Sequence, residues 1–515
     1  MNKIDAELAV WTGIKEIRCS ICVKGWLIVN FFHVFRLKLS STNMSRESFR
    51  EDDQDIGDLL RLYRRLVSGR GAASLSEDAF ERIIDHFDDM DDLGSAIDAA
   101  DTGIGQHPFS SILLIKKADL LISAKRYDEA HELLDRAEIL DSNDIDIYIL
   151  RTDAYLAQDL QERAVSLLEE AIRRFDGEDR IDLLFELADV YDDYEAFDKI
   201  FDCLRMILTY QPTNEEALYK ICFWTDYTGR NEESIRLHEE ILDEHPYNEL
   251  AWFNLAAAFQ GLKLYEKAID AYKYALVINE KFDYAYRNMA DAYIRLRKYR
   301  DAIEALEKVI ELARPEDVIY EAIGHCYDRL NNHAQARFYY RKASHLSPED
   351  AKLQYRVATT YMQEANWLQA AKYLEMALRL NRNAYDFNLA MGKVQMELGN
   401  LREALQHFGL IVRVRPRNIS GWDALIQCAH AAGLLHEAEE YARTAWVQTG
   451  GKPVFRFYQA ALLFALGRAK EALIVLESAM IESPKLLSRM LDLDPSLMQH
   501  PQVVDIIARH RRKRG

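Results

Sequence analysis

The chain has 515 residues, of which 49 % are hydrophobic and 29 % charged. That composition excludes a wholly disordered, collagen-like or multi-span membrane protein, while the length allows about three compact units of roughly 150 residues or one elongated array. Sixty-five Lys and Arg against 84 Asp and Glu give a net charge of −19, which repels phosphate backbones unless a basic patch is locally segregated, so nucleic acid is not expected as the main partner.

Only 10 Pro and 21 Gly interrupt the chain, and Ala, Leu, Glu and Arg recur throughout, so most of it can run as helix. Six Cys (Cys19, Cys22, Cys203, Cys222, Cys326 and Cys428) are too few for a disulfide-dense secreted scaffold, and a reducing, cytoplasmic setting is expected.

At the N-terminus, residues 25–35 (GWLIVNFFHVF) form the most apolar run. It is short of the ~20 residues that span a bilayer and contains Asn30 and His33. Lys3, Lys15, Arg18 and Lys24 precede it in the manner of a secretory signal, but Arg36 and Lys38 follow at once without a small-residue cleavage pattern. Met44 then opens an acidic segment of different composition, so residues 1–43 are read as an upstream extension and 44–76 as an acidic segment with a capping helix from about 55 to 67. Cys19 and Cys22 form CSIC, two ligands where a closed tetrahedral metal site needs four, and neither a metal nor a cofactor is expected.

The body of the chain is periodic. Pro108, Pro212, Pro246, Pro348, Pro416 and Pro484 are separated by 104, 34, 102, 68 and 68 residues, multiples of 34 with one surplus of two. Ala96, Ala130, Ala164, Ala268, Ala302, Ala336, Ala370, Ala404, Ala438 and Ala472 repeat the same period and slip by the same two residues after Ala164. A two-residue insertion in the polar turn at 175–180 explains both slips. Within one period, Trp252, Leu255, Ala256 and Phe259 share a face at helical spacing, and Ile269, Tyr272, Ala275 and Leu276 share another. Each period therefore predicts two amphipathic helices and a short turn, stopped by proline.

Tyr320, Ile323, Gly324, Tyr327, Ala336, Tyr340, Ala343 and Pro348 in one unit, and Trp422, Leu425, Ala438 and Ala445 in another, resemble the tetratricopeptide repeat. The resemblance covers about twelve units over 77–486, about four-fifths of the chain. Ile200 and Ser234 depart from it at the alanine column. It implies an all-α, right-handed solenoid in which each hairpin buries its apolar face only by stacking on its neighbours, with residues 487–515 as a C-terminal capping helix and basic tail.

No phosphate loop or catalytic motif stands out. The glycines at 69 and 71 and at 103 and 105 lack the rest of a nucleotide fingerprint. His238 and His245 are seven residues apart, not the four of a zinc-protease helix, and His238 is expected on a charged surface. His325 and Cys326 point about 100° apart on a helix and make a poor base and nucleophile pair. No enzymatic activity is expected.

The resemblance further implies that first helices line a concave groove that holds extended peptides or partner helices. In the fourth and fifth units that face carries Asp182, Phe185, Glu186, Asp189, Asp192, Asp193, Glu216, Tyr219, Phe223, Asp226 and Tyr227. In the seventh to tenth it turns mixed to basic, with Tyr284, Arg287, Asn288, Asp291, Arg295, His325, Arg329, Lys352, Tyr355, Arg356 and Lys393. The candidate partner-binding set is Tyr219, Phe223, Tyr227, Arg287, Asn288, Arg295, Arg329, Lys352 and Arg356. Arg287, Lys352 and Arg356 match slots of a carboxylate clamp that some family members carry, but Asp291 and Ala322 occupy its two Asn slots, so the full clamp is not expected. The expected function is a non-catalytic scaffold for proteins or peptides; the alternative is a membrane-associated assembly factor anchored by the N-terminal apolar run.

Overall fold

The computed structural model describes residues 48–68, 74–314 and 316–512. The CSIC pair, the apolar run at 25–35, the boundary at Met44 and the glycines at 69 and 71 lie outside these residues, as do the side chains of the C-terminal basic cluster.

A helix over Ser48–Val67 is followed by twelve helical hairpins, the first at Glu77–Asp89 and Leu93–Gln106, the last at Val454–Ala465 and Ala469–Glu482. The described residues contain helices and turns but no strand, and the fold is the all-α solenoid of repeated hairpins that the periodicity predicts. Two compact units part between Ile278 and Asn279, six hairpins to each.

The alanine column explains why each hairpin closes. All ten of its members are fully buried, because a small side chain lets the second helix cross close to the first. Ile200 and Ser234 at the departures are buried as well. Opposite this seam, side-chain volumes trade. A Cβ on Gly324 would stand 2.7 Å from Tyr340 Cδ1, and one on Gly392 would overlap the ring of Phe408. In the eleventh hairpin (Ile419–Ala431 and Leu435–Gln448) the large partner is on the first helix, Ile426, and the small one is Ala442 on the second, both fully buried.

Every hairpin turns through one residue with positive φ, at 91, 125, 159, 195, 229, 263, 297, 331, 365, 399, 433 and 467. Only four of the twelve are glycine. Eleven of them close the first helix as residue 365 does: Asn366 N–H bonds Tyr361 C=O at 2.9 Å and Ala365 N–H bonds Met362 C=O at 3.0 Å, the six-to-one and five-to-two pattern that satisfies the last carbonyls. Gly229 N–H instead makes a single hydrogen bond, to Thr225 C=O at 3.0 Å. Asn214, Asn248 and Asn418 cap the starts of first helices by accepting from the N–H three residues on.

Two expectations are corrected. The two inserted residues do not sit in a turn, because the first helix of the fourth hairpin begins early, at Gly177, and runs to Asp193. Arg180 then reaches back to the carbonyls of Ile172 and Phe175 at 3.1 and 2.7 Å, satisfying the end of the preceding helix, so extra length becomes extra helix. His238 is not on a charged surface but fully buried. Its Nδ1 meets the Ser234 carbonyl at 2.7 Å and its Nε2 meets Asn254 Nδ2 at 3.2 Å. Burial holds its pKa down to about 4, so the neutral ring serves as a polar bridge between the fifth and sixth hairpins (Glu215–Thr228 with Asn231–Glu244, Glu249–Gly261 with Tyr265–Ile278).

Both ends are covered. Tyr63 of the first helix packs edge-on to Phe80 and Phe87 at 6.5 and 6.2 Å. Met490, Leu497, Val503, Ile506 and Ile507 close against Phe457, Ala460 and Met480 of the last hairpin.

Two stability measurements check these packing arguments. Gly392→Ala is expected to cost about 1–3 kcal/mol in chemical denaturation. Combined with Phe408→Leu it should cost less than the two single changes summed, whereas additive costs would show that the positions do not compete for space. Ala365→Gly, at an exposed positive-φ turn, is expected to raise the melting temperature through about 1 kcal/mol of relieved backbone strain.

Candidate functional site

The first helices present two chemically distinct faces, one in each unit. In the N-terminal unit the face is acidic and aromatic. Glu186 lies on Gly177–Asp193 among Asp153 of the third hairpin and Asp189 and Asp193 of its own helix. Partial burial and these like charges push its carboxyl up to about 7. Lys220 is the cation set into this face: it pairs with Glu216 at 2.9 Å and stands 4.8 Å over the Phe185 ring.

Tyr219 is half-buried. Phe223 stacks on Tyr227 at 6.0 Å and meets Trp224 edge-on at 4.9 Å. Phe197, from the second helix of the fourth hairpin, stacks on Trp224 at 5.4 Å. Tyr227 keeps 41 % of its surface exposed, so this cluster is anchored in the core through Trp224 and open to solvent at Tyr227. Sequence reading missed Phe197 and Trp224, since neither shares the first-helix phase used to select the others.

In the C-terminal unit the cations divide by their partners. Arg287 is only 7 % exposed; its guanidinium donates to both Glu316 oxygens at 3.1 and 2.9 Å and lies 3.3 Å from Asp283. It is a buried tie between the seventh and eighth hairpins (Asp283–Arg295 with Tyr299–Leu312, Asp317–Arg329 with His333–Leu346). Asn288 is half-buried on the same helix, and Arg295 lies 3.4 Å from Asp291.

Arg329 is exposed and donates to Tyr299 Oη at 3.2 Å. Arg356, on Ala351–Gln363, is exposed and reaches Glu321 at 3.5 Å. His325 sits between Arg356 and Arg329, and burial and those two charges lower its pKa. Lys352 lies one turn before Arg356, exposed, and no carboxylate among the described residues pairs with its ammonium. The structure therefore groups His325, Arg329, Lys352 and Arg356 on one exposed face and sets Arg287 apart as an internal ion pair. Glu321 and Tyr299, which orient two of these cations, were not legible in sequence, because neither their charge nor their aromaticity distinguishes them from solvated residues.

Cys326 is fully buried behind His325, with its thiol pushed up to about 12 by burial. Among the described residues no three His, Cys, Asp or Glu side chains are grouped to hold a metal, and no helix is long and apolar enough to cross a membrane.

Family models of the tetratricopeptide repeat match residues 82–145, 226–283, 283–315 and 318–350. No curated protein matches the chain. Among solved structures, YrrB, described as a TPR protein with an unusual peptide-binding site, is 16 % identical over 36 % of this chain and 95 % of its own, with a TM-score of 0.32. The Cut9–Hcn1 hetero-tetramer of the APC/C is 12 % identical over 78 % and 97 %, with a TM-score of 0.31. The C-terminal part of a TPR repeat-containing protein from Cytophaga hutchinsonii is 16 % identical over 50 % and 99 %, with a TM-score of 0.41.

The raised Glu186 carboxyl has a measurable sign. Between 4.5 and about 7 the folded chain holds a proton that the unfolded chain has released, so this group's stabilisation is complete below 4.5 and lost as pH rises through 7. Glu186→Gln is expected to raise the melting temperature at about pH 8, with the gain shrinking to nothing near pH 4. A gain of equal size at both would show that packing, not charge, is responsible.

Proposed function

Since the chain belongs to the tetratricopeptide-repeat family, we propose that it is a non-catalytic scaffold whose first-helix faces hold segments of partner proteins. The observation that carries this reading is the exposed cationic group of the eighth and ninth hairpins. Lys352 has no ion partner among the described residues, and Arg329 and Arg356 are only loosely engaged at 3.2 and 3.5 Å. Such groups lose little internal bonding when they turn to an incoming carboxylate, and they set the orientation and rate of encounter with an acidic segment. The acidic, aromatic face of the fourth and fifth hairpins suits a basic segment with apolar side chains by the same rule. Capture in either place follows the peptide- or helix-in-groove mode, in which a preformed surface avoids the entropy cost of ordering the receptor. Arg287 supports the scaffold from inside, by its bond to Glu316, and is left out of the recognition set.

Tagged native chain and a Lys352→Glu, Arg356→Glu variant, purified from native cells with their partners quantified by mass spectrometry, test the reading. The variant is expected to lose at least one partner several-fold while its circular dichroism and melting stay unchanged, since both positions are exposed. Undiminished capture of every partner would remove these cations from the site.

A further inference from the structure

The net charge of −19 is not spread evenly. Three segments of the C-terminal unit, residues 376–385, 413–421 and 441–455, contain no Asp or Glu at all. They include the turns that join the ninth to the twelfth hairpins, and they carry Arg379, Arg382, Arg413, Arg415, Arg417, Arg443 and Lys452, all exposed. Among the described residues no carboxylate pairs with any of the seven. Arg356 of the ninth hairpin, by contrast, is accompanied by Glu321.

At the centre of this patch is a shallow cavity, wide open to solvent, lined by Arg415, Pro416, Arg417, Asn418 and Gln448. Its wall is held in place. Asn418 N–H bonds Arg415 C=O at 3.0 Å, closing a tight turn with Pro416 at its second position. Trp422 Nε1 donates to Pro416 C=O at 2.7 Å. The Arg415 guanidinium lies 5.2 Å over the Tyr385 ring. Asn418 Oδ1 accepts from both Gly421 N–H at 2.7 Å and Tyr385 O–H at 3.1 Å, which leaves its amide NH₂ as the group able to donate at the wall. Two guanidiniums and a carboxamide donor, with no carboxylate in the lining, match an anion that accepts from several directions at once.

We propose that this turn is a binding site for clustered phosphates, carried by a soluble molecule or by a lipid headgroup. A single carboxylate would engage one guanidinium and leave the rest of the cavity to water, whereas adjoining phosphates use Arg415 and Arg417 together and draw on the flanking cations. The site is distinct from the first-helix faces and does not depend on the scaffold reading.

The full chain titrated with inorganic pyrophosphate by calorimetry, at fixed ionic strength, tests it. Native chain should bind, Arg415→Glu with Arg417→Glu should bind about ten-fold more weakly or worse, and Lys308→Glu, which reverses an exposed cation of the seventh hairpin paired with Glu311, should bind like the native chain. Arg415→Gln with Arg417→Gln, which removes charge without reversing it, should show the same direction of loss with unchanged circular dichroism. Co-sedimentation with phosphatidylcholine vesicles containing phosphatidylinositol bisphosphate separates the sources: retention that pyrophosphate competes away assigns the headgroup, and pyrophosphate binding without retention assigns a soluble ligand. Absence of both pyrophosphate binding and vesicle retention in the native chain, or an equal loss in the Lys308 variant, overturns the proposal.

Discussion

All but one of the hairpins depend on the close crossing of their two helices at one small residue, the fourth carrying Ile200 there. Ala268, Ala336 and their equivalents contribute little buried area themselves. What they contribute is approach, which lets larger side chains on both sides interdigitate at the density of a protein interior. The neighbouring position adjusts to the same limit. Gly324 and Gly392 face Tyr340 and Phe408, and in the eleventh hairpin the order of large and small is reversed as Ile426 and Ala442. The seam thus conserves volume while the residues change, as close-packed cores tolerate. Ser234 shows its tolerance for polarity: a buried hydroxyl there meets His238 Nδ1 one turn on at 3.2 Å, and Asn254 of the next hairpin meets the other ring nitrogen, satisfying the rule that buried polar groups be paired.

With the interior settled by packing, charge on the outside is left to two tasks that the structure separates. Some cations fasten one hairpin to the next. Arg151 holds Asp135 and Glu138 at 2.7 and 3.0 Å, Arg230 holds Asp202 at 2.8 Å, and Arg337 holds Glu364 at 2.9 Å, and Arg287 with Glu316 is the most buried of this kind. Breaking such a pair by removing one partner strands a charge in a poorly solvated place. Other cations, Lys352 and those at the turn of residues 415–418, meet no acid on the adjoining hairpin.

The architecture was legible because it is written in periodicity. Six prolines and ten alanines in one phase suffice to place helices and turns and to reveal that two residues are inserted, though not that they lengthen a helix. The roles of single charges were not legible, because phase tells which face a side chain occupies but not whether an acid from the next hairpin reaches it. Arg287 and Lys352 hold equivalent rank in the sequence and opposite rank in space for that reason alone. The positive-φ column escaped notice on different grounds. Its twelve positions share a backbone conformation but no residue type, running through Asp, Lys, Glu, Arg, Asn, Ala and Gly, since the bonds that end each helix enforce the conformation at a modest cost that tight packing of the hairpin outweighs. His238 misled because two histidines in an acidic stretch look solvated, and only the Ser234 departure hinted that a polar group had moved inside.

The acidic face of the N-terminal unit also bears on why its charges are there. Burial first, and then the charges of Asp153, Asp189 and Asp193, push the Glu186 carboxyl up to about 7, so ionising it opposes folding. A hairpin needing only solubility could spread these carboxylates over its outer surface, where solvent and salt would screen them. Packing at the alanine seam is indifferent to what the first helix presents outward, so nothing inside the repeat requires the crowding. A cost that the core neither demands nor relieves is the pattern found where a surface is shaped for something outside the chain, and a basic partner is the species that would convert this mutual repulsion into attraction.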